Sequence, residues 1–499
     1  MTVSSLIRKG IDAVSKDSLT EAEDCFRQAF LLAKHEGGVF NIGAANLIRL
    51  LFLQKKYHDV ASLVDESSIM EILSLPNICV LMVAESAFIV GHFSTSLECY
   101  EYLHKTYPQE KPVLLGFSQA MLASGQLKKS RKVLIDYLKK QGPDAEVLTN
   151  LATVTLESGH INEAGLLYRN AVGLAPNQFI THYNLGKFLK MHGSLCEAIV
   201  EFDTCLKLVP NGVEAAIAKA EILKDIGKDN ESQQLISQSL EGRSLTSEQS
   251  ISLTKPLIVT ALEQKDFETC KVYLASLSVE ARANYQIKSI IYDLPCSLQD
   301  EYGGGSHLYD PTQLVINKLL ITQTDLLQEL ADYVNNNESL IKDRPGKPTR
   351  GGSQTHEILD SQNEVVSKLR EVLKKEMMVY ASQMEESIKP SPNALYRISG
   401  WGVRLEAGGR QIRHTHPEAV VSGVIYLSIP KALNSNDDKQ GWLYFSSLDG
   451  VSERSSLYVE PKEGRFVMFP SYIPHETVPF DSDQKRICIA VNLVPFKSN

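Results

Sequence analysis

Apolar side chains in the first half of the chain recur at three- and four-residue steps, the spacing that lays them along one side of a helix. The arrangement then repeats as a block. Ser96, Ser130, Ala164, Ala198 and Ser232 stand 34 residues apart, each small and each inside a helical pattern. Four residues after each comes a large apolar or aromatic side chain, Tyr100, Leu134, Tyr168, Phe202 and Ile236, followed three residues later by Leu103, Tyr137, Ala171, Cys205 and Ser239. Pro108, Pro176 and Pro210 close three of these helices, because the residue before a proline is driven out of helical geometry. The best copies join Leu151-Ala152 to Ala164, Tyr168 and Ala171, and Leu185-Gly186 to Ala198, Phe202 and Cys205. An earlier copy is Gly10, Ala22, Phe26, Ala29, and looser ones fall at Tyr57-Val60-Val64 and Phe267-Cys270-Leu274. The pattern predicts about eight helix pairs across residues 4–280.

From Ala281 the period is lost. Residues 281–311, with Tyr292-Asp293-Leu294-Pro295 and Gly303-Gly304-Gly305, read as a linker. Helical spacing returns over 313–335 and 361–386, and between them Asp343–Thr355 reads as a long exposed loop, its basic residues either a substrate rim or a solvated surface. Beyond Pro392 the pattern changes to short β-branched and aromatic runs parted by Gly, Pro, Asp and Ser. Strands are predicted at 394–407, 410–416, 420–429, 442–446, 456–459, 465–469, 476–479 and 486–494, a number that suits a jelly roll with the preceding helices buttressing one sheet. The expected organisation is multidomain: an all-α repeat superhelix over 1–280, a linker over 281–311, and an α+β double-stranded β-helix domain over 312–499.

This last region carries the candidate chemistry. His414 and His416 sit at i and i+2, so on an extended strand both imidazoles face one side and make half of a metal site. A third histidine, His475, follows a β-rich stretch, and Arg486 opens the apolar run Ile487-Cys488-Ile489-Ala490-Val491. Glu418 offers a carboxylate two residues past His416.

The 34-residue blocks resemble the tetratricopeptide repeat, whose small residues let two helices pack closely. That resemblance implies a protein or peptide partner held in a concave groove, with Asn150, Thr153, Asn184 and Lys187 as candidate contacts. Residues 290–497, with His-x-His-Pro, Ser422-Gly423-Val424-Ile425-Tyr426-Leu427 and Phe469-Pro470-Ser471 before His475, look like an Fe(II)- and 2-oxoglutarate-dependent oxygenase of the prolyl-hydroxylase-like superfamily. The resemblance implies iron held by His414 and His475, with O2 and 2-oxoglutarate as co-substrates. It places Arg486 on the distal carboxylate of 2-oxoglutarate, where a planar guanidinium binds bidentately, and Tyr426 on the same ligand through its hydroxyl. His416 stands where the family carries an acid. Two ligand sets remain open: His414, His416 and His475, or His416, Glu418 and His475. Trp401 is expected to serve packing.

The implied activity is a dioxygenase that hydroxylates a protein or peptide side chain recruited by the repeats. Alternatives are an oxygenase of small molecules and a cupin-like metal protein without co-substrate, the latter disfavoured by Arg486. Composition narrows the partners. Net charge is −9 and no basic cluster stands out, so neither nucleic acid nor an anionic membrane is expected. The most apolar stretch, Ile78 to Gly91, is too short to span a bilayer and the first residues lack a secretory pattern, which points to a cytoplasmic protein. Eight cysteines without a C-x-x-C predict buried reduced thiols.

Overall fold

The computed structural model describes residues 2–35, 40–65, 69–240, 245–385, 388–389, 395–431, 433, 438–446 and 456–496. The chain divides into two compact units, Met1–Lys140 with Asp360–Gln362 and Phe496–Asn499, and Gln141–Leu359 with Asn363–Pro495.

Helices follow one another from Val3 to Ser276. The 34-residue positions are core: Ser96, Ser130, Ala164 and Ala198 are fully buried, and Tyr100, Leu134, Tyr168, Phe202 and Ile236 pack against neighbouring helices. Where the small residue is serine, its hydroxyl donates to a carbonyl twelve residues back: Ser96 to Ala84 (2.9 Å), Ser130 to Ser118 (3.0 Å) and Ser232 to Ala220 (2.7 Å). The hydroxyl thus satisfies itself in a dry contact while adding little bulk. Gly186 shows how close the helices come, since a Cβ there would meet the Phe202 ring at 2.9 Å. Helices Phe93–Thr106, Ile161–Leu174 and Leu195–Leu208 each end two residues before Pro108, Pro176 and Pro210. Among the cysteines, Cys196 is exposed and Cys296 half-buried, while the other six are buried as expected; all eight are free thiols.

Residues 281–311 are not a loop-like linker. They form helices Tyr285–Ile291 and Cys296–Tyr302 and a short 3-10 turn at Ser306–Tyr309. Ile287, Ile291, Leu294 and Leu298 join a hydrophobic core that runs without a break from Ile251 to Leu493. Pro295 opens the second of these helices and Gly303 ends it, and the apolar residues between such turns are the better signal.

Ten strands follow among the described residues: β1 (Ile316–Leu319), β2 (Ile341–Lys342), β3 (Thr349–Gln354), β4 (Tyr396–Gln411), β5 (Val421–Ser428), β6 (Leu443–Phe445), β7 (Leu457–Val459), β8 (Arg465–Pro470), β9 (Glu476–Thr477) and β10 (Arg486–Pro495). Seven make one sheet in the order β1-β8-β5-β10-β4-β3-β2, and β7-β6-β9 make a second. Every recorded pairing is antiparallel. β5, interior in the large sheet between β8 and β10, is buried from Val421 to Leu427, which is why it reads as an unbroken run rather than an alternating one. Helix Thr324–Asn335 packs on β4 and β5. Helix Glu364–Gln383 is opened by Asn363, whose side chain accepts from the backbone N–H of Val365 and Val366.

Three local expectations are corrected. The supposed loop Asp343–Thr355 contains β3, paired with β4 and largely buried. Its sequence has no apolar residue because its polar groups serve one another, Thr349 Oγ1 donating to Gln354 Oε1 at 3.1 Å. Ile316–Leu319 lies inside a helical pattern yet pairs as an edge strand with β8. The two strands predicted at 394–407 and 410–416 are one, β4, which ends at Gln411; residue 394 itself lies outside the described residues. Among the described residues no helix is long and apolar enough to cross a membrane.

Candidate active site

His414 and His416 lie beyond the end of β4, on chain that is no longer a regular strand. One backbone bridge holds them in place: His414 N–H donates to the His475 carbonyl and His475 N–H to that of His414, both at 3.0 Å. His416 N–H in turn reaches the Ser471 carbonyl at 3.0 Å. The exits of β4 and β8 are thereby tied together, and three imidazoles converge although the two strands are not neighbours in the sheet.

One nitrogen of each ring lies within 4.8 Å of the others. Ring centroids are 4.3 Å apart for His414 and His475, 4.9 Å for His414 and His416, and 5.3 Å for His416 and His475. His414 Nδ1 sits 2.7 Å from the Ile412 carbonyl and His475 Nδ1 3.1 Å from that of Ile473. A carbonyl only accepts, so both contacts assign the proton to Nδ1 and leave Nε2 with its lone pair, the tautomer a metal ligand needs. Burial pushes the pKa of His414 down to about 4. Burial first, and then the neighbouring imidazoles, hold His416 and His475 well below the usual range. His414 and His416 keep part of their surface open, yet the atoms crowded round each ring remove enough water to disfavour the cation. The cluster is therefore three neutral donors, a set that suits a divalent transition metal. Glu418 is exposed and is not part of the group.

Supporting contacts come from distant chain. Phe469 packs on His475 with centroids 4.6 Å apart, and Trp401, expected to pack, stands 5.6 Å from His416. Arg413 pairs with buried Asp293 at 2.6 Å and donates to the Ser446 carbonyl at 3.2 Å, fastening the histidine segment to the helical stretch and to β6. The sequence carried no signal for this pair, whose members lie 120 residues apart.

Arg486 begins β10, opposite Leu405 in the half of β4 that leads to His414. It is 2% exposed, and its guanidinium lies over the Tyr426 ring, 4.9 Å from the centroid. Tyr426 is directly opposite Cys488, two residues from Arg486, so the three side chains share a face. Cys488 Sγ accepts from the guanidinium at 3.7 Å. Among the described residues no carboxylate pairs with Arg486; its Nε and the Tyr426 hydroxyl are both buried without a hydrogen-bond partner. A buried cation beside a buried orphan hydroxyl calls for an anion with several acceptors, and a carboxylate supplies both features. The residues fit 2-oxoglutarate in this respect.

Of the groove candidates, Thr153 is occupied internally, its hydroxyl 2.9 Å from that of Tyr168. Asn150 and Asn184 are half-exposed and Lys187 is exposed.

Residues 399–492 match the family described as "Putative 2OG-Fe(II) oxygenase". Protein FlbA of Caulobacter vibrioides is 27% identical over 138 residues, 28% of this chain and 23% of that protein, so the chain spans less than a quarter of that relative. Among solved structures, a Pseudomonas putida prolyl-4-hydroxylase aligns at 20% identity with a TM-score of 0.29, covering 38% of this chain and 96% of the other. A tetratricopeptide repeat protein from Parabacteroides merdae aligns at 13% identity with a TM-score of 0.39, covering 50% and 97%.

Proposed function

We propose that this chain, whose residues 399–492 match a 2-oxoglutarate/Fe(II) oxygenase family, is a dioxygenase that hydroxylates a side chain of a protein or peptide recruited by its repeats. His414, His416 and His475 would hold the iron through Nε2, and Arg486 with Tyr426 would hold the distal carboxylate of 2-oxoglutarate. The iron and its co-substrates supply the oxidising chemistry when bound. The chain's own work is to keep three imidazoles neutral, to fix the co-substrate by a forked charge-assisted bond, and to pack Trp401 and Phe469 against the histidines. The observation that carries the reading is buried Arg486, with no carboxylate partner among the described residues, lying over the Tyr426 ring whose hydroxyl has no hydrogen-bond partner, in the same sheet that delivers the histidines. A metal protein without co-substrate leaves that cation without a counter-charge, at a cost of several kcal/mol by rough reckoning.

Anaerobic titration of the purified protein with Fe(II) and then 2-oxoglutarate tests this directly. The expected result is one iron per chain and a visible charge-transfer band that appears only with both present, followed by succinate formation on admitting O2. Iron binding with no response to 2-oxoglutarate would overturn the oxygenase reading.

A further inference from the structure

The strands leading to the histidines carry six basic residues near their junction with the repeat helices, and these fall into two groups. Lys342 and Arg404 pair with Glu406, and Arg344 pairs with Glu157 at 3.1 Å. Lys347, Arg350 and Arg410 are exposed, and among the described residues none of them pairs with a carboxylate. Arg350 and Arg410 are direct cross-strand partners. Two like charges opposite each other repel, so this pairing weakens the sheet unless an anion lies between or above them. Arg350 donates instead to the carbonyls of Lys347 (2.6 Å) and Thr349 (2.8 Å), which holds its guanidinium at the same rim as Lys347. In a chain of net charge −9, three cations in one place with no carboxylate at ion-pair distance are not an effect of composition.

Their position gives them meaning. Ile412 N–H donates to the Pro348 carbonyl at 3.0 Å, so Lys347 lies beside the segment that turns into His414. On the other side the same loop meets two repeat helices. Glu157, the last residue of helix Ala145–Glu157, takes Arg344, while Met191, ending helix Phe179–Met191, has its Cε 3.9 Å from where a Cβ on Gly346 would be. Asn150 and Glu157 on the first helix, and Asn184, Lys187 and Met191 on the second, follow the three-, four- and seven-residue steps of one helix face. Each of these stripes ends at the loop.

We infer that Lys347, Arg350 and Arg410 form a recognition rim for acidic side chains of a peptide that lies along the helix stripes and presents its target residue to the histidine cluster. The inference rests on the oxygenase reading for its last step only; the rim binds acid-rich peptide whether or not turnover follows. Three cations on a short rim suit two or three carboxylates of an extended peptide, whereas a nucleic acid strand needs a longer basic track.

The test uses the full chain and three fluorescein-labelled 12-residue peptides, one of Glu, Gly and Ser, one of Gly and Ser only, and one of Lys, Gly and Ser, followed by anisotropy at low and high salt. The Glu peptide should bind at least about tenfold more tightly than the other two and weaken as salt rises. The combined variant Lys347→Glu, Arg350→Glu, Arg410→Glu should lose at least about tenfold for the Glu peptide and gain affinity for the Lys peptide, a reversal that misfolding does not produce. Lys128→Glu, on a helix outside the rim, should change nothing. Equal binding of the Glu and neutral peptides, or an unaltered Glu affinity in the triple variant, overturns the rim. So does tighter binding of a 12-nucleotide thymidine strand than of the Glu peptide. Loss of 2-oxoglutarate turnover with peptide binding intact would strike the oxygenase reading alone.

Discussion

The two ends of the candidate site are built on opposite principles. At the histidine end the imidazoles find partners within the chain: His414 and His475 exchange backbone hydrogen bonds, and each donates its Nδ1–H to the carbonyl two residues earlier. At the Arg486 end a cation and a phenol are buried with Arg486 Nε and the Tyr426 hydroxyl left without partners. The first end is arranged before anything binds. The second is left incomplete, and because an unsatisfied buried group is costly, a ligand that completes it gains affinity from doing so. The difference predicts that metal binding is lost by removing ligands, whereas co-substrate binding is lost by changing the shape of a charge.

The largest effect should come from His475→Ala, which removes a donor and a packing partner of Phe469 together. Stoichiometric iron by metal analysis after desalting should fall to background, and Glu418→Ala should retain it, because Glu418 is exposed and outside the cluster. If Glu418→Ala lost iron while His414→Ala kept it, the histidine end would have to be redrawn around the carboxylate. A neighbour that is not a ligand should cost no more than about 10–100-fold in affinity.

Arg486→Lys comes next. Charge is kept but the planar fork is lost, so calorimetry should show 2-oxoglutarate affinity down by at least about tenfold with iron content unchanged. Equal loss of iron would mean that the two ends are not independent.

A third test uses pH. In the metal-free protein His414 stays neutral down to about 4, while an unfolded chain takes up protons near the ordinary imidazole value of about 6.5. Between those values the unfolded state binds more protons, so stability is full above the window and falls as pH drops through it. Thermal melts of apo-protein should decline from pH 6.5 toward 4, and bound iron should raise the melts across the window without removing that decline, because the folded site carries no proton there in either form. A melting curve that does not move across the window would show the imidazoles to be protonated in the folded protein.

The smallest effect carries the most telling sign. Tyr426→Phe removes a hydroxyl that has no partner, so the ligand-free protein should be as stable as before or up to about 1 kcal/mol more stable, while 2-oxoglutarate affinity drops about fivefold. Loss of stability would reveal a partner for the hydroxyl inside the chain.

What could be read from the sequence follows from how local each determinant is. The repeat positions were legible because Ser130 or Phe202 does the same job as its equivalents one period away, and repetition exposes a pattern that one copy hides. The three histidines, Arg486 and Tyr426 were legible because their spacing carries chemistry. β3 was not: its residues are polar and glycine, and only pairing with β4 makes them a strand. Nor was the Arg413–Asp293 pair, which exists only once the helical stretch has docked. The same docking explains why 281–311 reads as a linker in sequence while folding as short helices, since turn residues between short buried helices look like a loop until their apolar neighbours have somewhere to go.

That unbroken core from Ile251 to Leu493 has a consequence for how the protein reports its own occupancy. Elements that share a core open together, so helix Ser247–Glu263 and the strands around Arg486 should exchange their amide hydrogens through one common opening. A ligand that binds only the folded form deepens that opening free energy everywhere it is shared. Co-substrate bound in the sheet would thus slow exchange in the last repeat helices, a response reaching them without any movement of the helices themselves.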